Sequence, residues 1–512
     1  MTDKRFAEQA AAECCSAATT AHHGGGAGRP FWNPSSIQFM YVPSFQFSPV
    51  PGCAAYRYIA SDSSENEYSF EAKSPSALLE PIWKDLRPGF VKLRVFAVGK
   101  EGEEIALVGA RTFYKLAPFP ADLPPAARSY RDTALRAFEY SFGQDFIRYW
   151  LTDGKPFPDY DRYVYPSKMI SGVIRAMICY SSLCPEKAED ALTVARRAAD
   201  WLIGVTPTDG PAAGLPPTYY LNFRDHPETR TNLAAASRID TIMMIYPAQV
   251  GIAYLELEKA TGDEKYFKEA LKIGGYYRDH VRESGSWDLI INRHTGETVG
   301  SHQCGPLEII VPFLEALLER TRDKVWDTLA EGAVGYVETT MLPLYHWEGQ
   351  FEDSGVSENY SNLTHYCATA LIRYRCRRCP DDEKKMAEAE EIMRFVEDQF
   401  VVWKDPCPWN KSHKRTDLWL TPCGLEQYTW YMPIDNSAAD IALTFYYLYK
   451  AGRGELYLEK AKGLADAVTR SQRGDGLIPT YWMDESFRNG RDMWISCMFH
   501  SARILLEMSE DD

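Results

Sequence analysis

Apolar and polar positions alternate with a period of two over residues 37–117. Runs such as IQFMYV and VKLRVFAVG place a hydrophobic side chain at every second position or nearly so, and Pro, Gly, Ser and Asn separate the runs. Several short strands at this spacing predict a small antiparallel β-sandwich, which we assign to residues 30–117. The preceding residues 1–29 are expected to be a flexible leader, and the Pro-rich residues 118–128 a linker.

From residue 129 onward the pattern changes to that of amphipathic helices, and one helix-turn-helix frame recurs. Residues 253–277 and 445–468 share Lys-Ala, a turn that contains Gly, a Tyr six residues after the Ala, and another Ala four residues later. Successive turn markers, from Pro185 to Ala451, are 58 to 75 residues apart. A segment of about 390 residues at that period holds six hairpins. An open solenoid is the alternative, but long aromatic-rich inserts between the hairpins favour a closed ring.

Composition restricts the classes of function. The 512 residues are 45% hydrophobic and 25% charged, as in ordinary globular proteins, and the length favours two domains. A net charge of −15 argues against nucleic acid and anionic membranes as partners. Neither an apolar run of about 18 residues nor a basic-then-apolar export signal is present, so we expect a cytoplasmic protein whose cysteines are free thiols.

The motifs predict neither a metal nor another cofactor. Cys376 and Cys379 form a CxxC without the second pair that a zinc site needs. The sequence contains no phosphate-binding loop, dinucleotide fingerprint, HExxH or GxSxG. Any chemistry is therefore expected to come from ordinary side chains.

Six hairpins behind an N-terminal β-module resemble the (α/α)6 six-hairpin superfamily of carbohydrate-active enzymes, in which the recurring turn frame is common. The β-module resembles a fibronectin type III domain, with VKLRVFAVGKEG in the place of the penultimate strand and turn. The resemblance implies a mainly α fold, in which an (α/α)6 toroid over residues 129–512 follows a small antiparallel β-sandwich. Within the superfamily the chain is similar to glucuronidases and unsaturated uronyl hydrolases. This similarity implies an oligosaccharide that contains uronic acid as the partner. It is also compatible with assembly of the chain into a homo-oligomer.

In such a ring the first turns of the inner helices project into a cleft, so polar residues there are candidates for the site. Glu358, Asn362, His365 and Tyr366 follow the spacing i, i+4, i+7, i+8 and share one helix face. Helix N-termini also favour anions such as a sugar carboxylate. The alternative is a structural role, with Glu358 stabilising the helix start and His365 in the core.

Two further acids lie at equivalent helix starts. Asp240 occurs in SRIDTIMM and Asp435 in YMPIDNS, and N-capping is the alternative role for each. Three acids at three equivalent starts favour the carboxylate pair of a glycosidase. We predict Glu358 and Asp240 as the catalytic acid and base, with Asp435 in reserve.

Substrate-binding candidates come from the polar loop 284–308 and from aromatic-rich segments. The planar fork of arginine suits a uronate carboxylate, and aromatic faces suit the C–H faces of sugars. The alternative for loop 284–308 is a short β-excursion that braces the ring. The predicted substrate-binding residues are Arg238, Trp287, Asn292, Arg293, His302, Asn362, His365, Tyr366, Trp430 and Trp482.

Three functions follow from these candidates. The first is a glycoside hydrolase that releases a glucuronyl or unsaturated uronyl residue by carboxylate acid/base catalysis. The second is a polysaccharide lyase, in which Asn362, His365 and Tyr366 neutralise the carboxylate, remove the C5 proton and protonate the leaving oxygen. The third is a glycan-binding protein without catalysis.

Overall fold

The computed structural model describes residues 4–16, 36–220, 238–345, 347, 364–408, 415–426, 432–483 and 493–509. Within these ranges, twelve helices after residue 129 form an inner and an outer ring. With helices labelled in chain order, the outer ring consists of α3 (Tyr130–Phe142), α6 (Ala188–Val205), α8 (Glu264–Asp279), α10 (Val325–Tyr336), α12 (Glu383–Phe400) and α14 (Glu455–Ser471). The inner ring consists of α5 (Pro166–Leu183), α7 (Ile245–Thr261), α9 (Ile310–Thr321), α11 (Tyr366–Arg378), α13 (Asp435–Lys450) and α15 (Ile495–Met508). A short helix, α4 (Asp145–Thr152), follows α3.

The inner helices close into a ring. Helix α5 packs on α7 and α7 on α9, while α11 packs on α13 and α13 on α15, which returns to α5. Arg378 of α11 connects to Glu315 of α9, with Nη2 2.7 Å from Oε1. Helix α15 also packs on α3, which makes the sixth hairpin. The predicted (α/α)6 six-hairpin architecture is confirmed over the described residues.

The recurring Tyr of the turn frame has a structural explanation. Helix α7 ends at Gly262, whose φ of +72° lies in the left-handed region, and Asp263 caps α8 by accepting from Lys265 N. Tyr266 then donates to Asp200 of the preceding outer helix, with a 3.2 Å separation. The equivalent Tyr457 donates to Glu390 at 3.1 Å. The repeat therefore encodes contacts between consecutive outer helices.

The core lies between the two rings and requires close approach of helices in places. A Cβ atom at Gly251 of α7 would lie 2.3 Å from the ring of Phe313 in α9. A larger residue at this position would push the two inner helices apart, because packed interiors hold few voids. The sequence thus sets the spacing of the inner ring at this contact.

The N-terminal module is a single five-stranded sheet. Its strands are β1 (Gln38–Phe39), β2 (Ala55–Ser61), β3 (Glu67–Ala72), β4 (Gly89–Val98) and β5 (Glu104–Lys115), in the order β1-β5-β4-β2-β3. Strand β1 runs parallel to β5 and the other pairs are antiparallel. Phe39, Phe45, Phe113 and Trp83 form an aromatic cluster, and Trp83 comes from the short helix α2 (Glu80–Trp83). The predicted antiparallel β-module is present, but α2 and neighbouring loop residues take the place of a second sheet.

Of the predicted flexible leader, residues 1–29, only residues 4–16 lie within the described part of the chain, and these are helical. Residues Lys4–Ser16 form helix α1, which contacts α2 and α14 and buries Ala10 and Cys14. Its Ala-rich sequence has high helix propensity, and the buried side chains anchor it. No helix among the described residues has the length and apolar character required to cross a membrane.

Two small sheets lie in the long connections between hairpins. Strand β6 (Thr241–Met243) pairs with β7 (Ile290–Asn292), and β8 (Val401–Val402) pairs with β9 (Cys423–Gly424). Strand β7 lies within loop 284–308, so this loop does contain the short β-excursion considered as the alternative to a binding segment. The sheets extend the inner-helix starts on the side where polar residues converge.

Candidate active site

A cavity of about 460 Å³ lies on the axis of the toroid at the N-terminal halves of the inner helices. Each of the six inner helices, or the residues that lead into it, contributes to its wall. The lining residues are Lys168, Arg175, Tyr246, Gln249, Ile252, Glu308, Ile309, Tyr366, Arg373, Glu426, Ile434, Asn436, Thr480, Tyr481, Trp494, Ser496, Cys497 and His500. Its size and mixed apolar and polar lining are typical of a small-molecule site.

Arg373 presents half of its guanidinium to the cavity. Its Nη1 lies 2.7 Å from Oδ1 of the buried Asp440 and donates to Thr444 Oγ1 at 2.7 Å. Among the described residues, its Nε and Nη2 make no hydrogen bond. Burial acts to raise the pKa of Asp440, but Arg373, His365 and Thr369 hold it well below its usual range. An ionised Asp440 therefore fixes one side of the fork and leaves the other side available to a planar anion.

Glu308 is a carboxyl group adapted to carry a proton. It lies in the turn just before α9 and lines the cavity, and it makes no hydrogen bond with a described residue. Burial and the neighbouring charge of Asp440 raise the pKa of Glu308 to about 8, against the opposing effect of Arg373 and Lys168. Glu308 is therefore largely protonated at neutral pH, as a general acid must be.

A second carboxyl group, Glu426, comes from the segment after β9. Its backbone N donates to Met432 O at 3.0 Å, which connects the segment to residues 432–434 just before α13. Its charge acts to raise the pKa of Tyr366 and of Tyr481, both of which line the cavity. The cavity thus holds two carboxyl groups on different walls.

His500 of α15 provides a neutral base. Burial, with the positive charges of Arg503, Arg175 and Arg373, lowers the pKa of His500 to about 4, although Asp440 acts in the opposite direction. Neutral imidazole can accept a proton at physiological pH.

Aromatic and hydroxyl groups complete the wall. Tyr366 Oη lies 3.0 Å from Ser437 Oγ and accepts from Asn436 Nδ2 at 3.1 Å. Lys168 Nζ and Arg162 Cζ lie 4.6 Å and 4.4 Å from the ring centre of Trp494. Trp494 therefore lies in a cationic environment at the edge of the cavity.

Of the predicted catalytic residues, Asp435 lies next to the cavity but is not part of its lining. It is fully buried in the first turn of α13, where its Oδ2 accepts from Ser501 Oγ at 2.9 Å and its Oδ1 has no partner among the described residues. Burial raises the pKa of Asp435 to about 8.

The burial of Asp435 predicts that the free energy of unfolding depends on pH. The unfolded chain ionises Asp435 above about pH 4, whereas the folded chain keeps it protonated up to about pH 8. Stability is therefore lost as the pH rises through this window, by on the order of 3 kcal/mol between pH 5 and pH 8. Asp435→Asn should remove this dependence, because asparagine does not titrate. Urea unfolding of both proteins at pH 5 and pH 8 measures the effect. A difference between the two proteins that is the same at both pH values would contradict it.

Asp240 lies at the surface, away from the cavity lining. Its carboxylate is 2.9 Å from Nε2 of His294, and both side chains are 63% exposed. Its carbonyl oxygen accepts from the backbone N of Arg293. Neither Arg238 nor Arg293 is among the residues that line the cavity. Asp240, Arg238 and Arg293 therefore lie in or beside the β6–β7 segment rather than with Glu308 and Arg373.

Four of the predicted binding residues make contacts within the protein outside the cavity lining. Trp287 is buried and donates to Tyr277 O at 2.7 Å, and Trp482 is buried and donates to Pro479 O at 3.1 Å. Asn292 Oδ1 accepts from the backbone N of His294 in the turn after β7. The His302 carbonyl accepts from Leu289 N. None of these four lines the cavity.

The predicted face at the start of α11 is only partly described. Glu358, Asn362 and Trp430 lie outside the described residues. Tyr366 lines the cavity as predicted by its place on the helix. His365 is fully buried between Tyr366 and Phe400, with Nδ1 3.5 Å from Asp440 Oδ2, which is longer than a normal hydrogen bond.

No family model matches the chain, and no curated protein matches it. Solved structures do. A D-mannose isomerase is 13% identical with a TM-score of 0.51, covering 75% of this chain and 96% of that one. A family 76 glycoside hydrolase from a bovine Bacteroides thetaiotaomicron strain is 10% identical with a TM-score of 0.48, covering 89% of this chain and 93% of that one. A cellobiose 2-epimerase from Spirochaeta thermophila DSM 6192 is 13% identical with a TM-score of 0.46, covering 74% of this chain and 97% of that one. The first match shows a shared (α/α)6 fold. At such identities it shows nothing of the reaction.

Proposed function

We propose that this chain is a carbohydrate-active enzyme, and specifically a glycoside hydrolase that releases a terminal uronic acid from an oligosaccharide. The observation that carries the proposal is the presence of Glu308 and the half-free fork of Arg373 in one axial cavity. A protonated carboxyl group is what glycosidic bond cleavage needs, and an open guanidinium fork is what a uronate carboxylate needs. The D-mannose isomerase of like fold supports a carbohydrate as the class of substrate.

In the proposed mechanism, Glu308 donates its proton to the glycosidic oxygen as the bond breaks. Glu426 acts from another wall, either by activating a water molecule or by attacking the anomeric carbon. The separation of the two carboxyl groups around the bound sugar decides between inversion and retention. Glu358, predicted from the sequence as a catalytic residue, is the other candidate for the second role.

Recognition of the sugar would use the cationic part of the wall. Arg373 would bind the carboxylate in a bidentate manner, and Lys168 would add a second positive charge. The N-termini of the inner helices point their partial positive charge toward the same space. Asn436 and Tyr366 would hydrogen-bond hydroxyl groups, and Trp494 would face a sugar ring.

Substitution of Glu426 and of Glu358, one at a time, shows which of them is the second catalytic carboxylate. Glu426→Gln is expected to lower kcat by on the order of 10²-fold or more, because a required carboxylate is removed while size is kept. If Glu358 has the role instead, Glu358→Gln will show the large loss and Glu426→Gln only a change in KM. Steady-state rates and the thermal midpoint of both variants on one uronide separate catalysis from stability.

A uronate β-elimination is the second candidate function, and His500 favours it. A neutral imidazole on the cavity wall could remove the C5 proton while Arg373 neutralises the carboxylate and Glu308 protonates the leaving oxygen. The same base would serve a sugar isomerase, the activity named for the D-mannose isomerase of like fold.

One screen distinguishes these reactions. A panel of saturated and unsaturated uronides, with matched neutral glycosides, is incubated with the full chain. Release of free uronic acid without a change in ultraviolet absorbance supports the proposed hydrolase. A new absorbing double bond indicates a lyase, and loss of an existing one indicates an unsaturated uronyl hydrolase. Saturable binding without any turnover would instead support a glycan-binding protein.

A further inference from the structure

The N-terminal module joins the toroid through buried hydrogen bonds. Asp398, near the end of α12, accepts from the backbone N of Met40 at 2.5 Å and of Tyr41 at 2.7 Å. Its neighbour Gln399 donates from Nε2 to the carbonyl oxygen of Gln38 at 3.1 Å. Asp398 and Gln399 are fully buried, so the end of α12 packs directly against the module without intervening solvent.

A second buried group strengthens this junction. Glu397 accepts from Tyr41 Oη at 2.8 Å, from Trp403 Nε1 at 2.9 Å and from Lys460 Nζ at 2.7 Å. The Glu397 and Lys460 side chains are 2% and 1% exposed. Breaking a buried ion pair is costly, because it leaves a charge uncompensated. One carboxylate thus holds the module, α14 and the segment after α12 together.

The chain that leaves this junction builds one wall of the cavity. Phe400 accepts from Leu425 N at 2.8 Å, and β8 pairs with β9. Gly424 of β9 also accepts from Ile434 N at 3.0 Å, and Pro433 accepts from Trp482 N at 3.1 Å. These backbone bonds connect four short segments side by side, at residues 400–402, 423–426, 432–434 and 480–482. We call this small sheet the cavity wall sheet.

The cavity wall sheet carries part of the proposed active site. Glu426, Ile434, Thr480 and Tyr481 all belong to it or adjoin it, and all four line the cavity. An unbroken series of buried hydrogen bonds therefore leads from the edge of the module to a proposed catalytic carboxyl group.

We propose that the N-terminal module is a brace that positions the cavity wall sheet, with Asp398 as its main positioning residue. The module then serves catalysis without touching the substrate. Its catalytic consequence, correct placement of Glu426, rests on the proposed function, whereas the mechanical coupling does not.

The test compares two aspartates that make the same kind of contact. Asp398 accepts two backbone N–H groups across the junction, whereas Asp62 accepts those of Ser64 and Asn66 within the module. In the full chain, Asp398→Ala is expected to accelerate hydrogen exchange of the Leu425, Glu426 and Ile434 amides by on the order of tenfold or more, because local opening becomes easier. Asp62→Ala should leave these amides unchanged. Asp398→Asn keeps the oxygen that accepts from Met40 and Tyr41, but it places an N–H donor against Gln399 Nε2, which donates to Asp398 Oδ2 at 2.6 Å, so it should restore only part of the protection.

The outcomes are distinct. Unchanged exchange in Asp398→Ala, or equal acceleration in Asp62→Ala, overturns the brace. If Asp398→Ala does not fold, Tyr41→Phe removes the bond to Glu397, and Tyr58→Phe removes a comparable bond to Ser74 O inside the module as its control. On an active uronide, Asp398→Ala should lower kcat more than it raises KM. If no uronide is turned over, the proposed function fails, and the exchange measurement still decides the brace.

Discussion

Glu308→Gln is expected to lower kcat for a uronide substrate by on the order of 10²–10⁴-fold with the fold intact. Glutamine keeps the size of glutamate and most of its hydrogen-bonding capacity, but it has no proton to donate. The wild-type rate should also fall as the pH rises past about 8, where Glu308 loses its proton, and the residual rate of the variant should lack this limb.

The measurement is a pH–rate profile of both proteins, with thermal midpoints as a check of folding. Glu297→Gln is the matched control, since Glu297 is an exposed acid in the same loop and should leave the profile unchanged. A Glu308→Gln enzyme with normal kcat would remove Glu308 from the mechanism. If Glu308→Gln lowers kcat but its residual rate still falls above about pH 8, that pH dependence belongs to another group.

The second large effect concerns recognition of the carboxylate. Arg373→Lys keeps a positive charge beside Asp440, so the buried carboxylate stays compensated, but it removes the planar fork. We expect KM for a uronide to rise by on the order of 10–100-fold, since hydrogen bonds to charged groups contribute about 1.5–3 kcal/mol. The matched neutral glycoside should change little.

The control is Arg377→Lys, one turn further along α11, where the guanidinium faces Glu315 outside the cavity at 3.6 Å. It should leave both substrates unaffected. Equal losses on uronide and neutral substrates in Arg373→Lys would show that this arginine does not read the carboxylate. Arg238→Lys and Arg293→Lys, the positions suggested by the sequence, would then be the next variants to assay.

The hairpin architecture could be predicted because its signals are local. The repeated Tyr266 and Tyr457, with Gly in the preceding turns, report the same contact with the preceding outer helix at two places in the ring. The module was predicted as antiparallel β structure for the same reason, since alternation reports one buried face. Among the described residues of the module, α2 and neighbouring loop residues pack on the single sheet, and this could not be predicted because they carry no strand pattern.

The site was harder to predict because it depends on convergence. Helix starts rich in polar residues were the predicted positions of the site, whereas Glu308 stands alone before the apolar start of α9. Arg373 belongs to an arginine-rich helix end and shares a face with Tyr366 seven residues earlier, a spacing that gave the one available signal. His500 lies in a largely apolar helix. Asp435, by contrast, has the expected position, but its side chain turns toward Ser501.

The pairing of α15 with α3 has a consequence for biosynthesis. Helix α3 is made early, and its partner in the sixth hairpin begins only at Ile495, so the ring stays open on the ribosome until nearly all of the described chain has emerged. Contacts of such large sequence separation form late and slowly, since a long loop must close first. During that interval the apolar sides of α3 and α5 lack their final neighbour and are exposed to aggregation. A nascent chain stalled before α15 should therefore bind chaperones and be degraded readily by proteases, whereas the released protein should resist both.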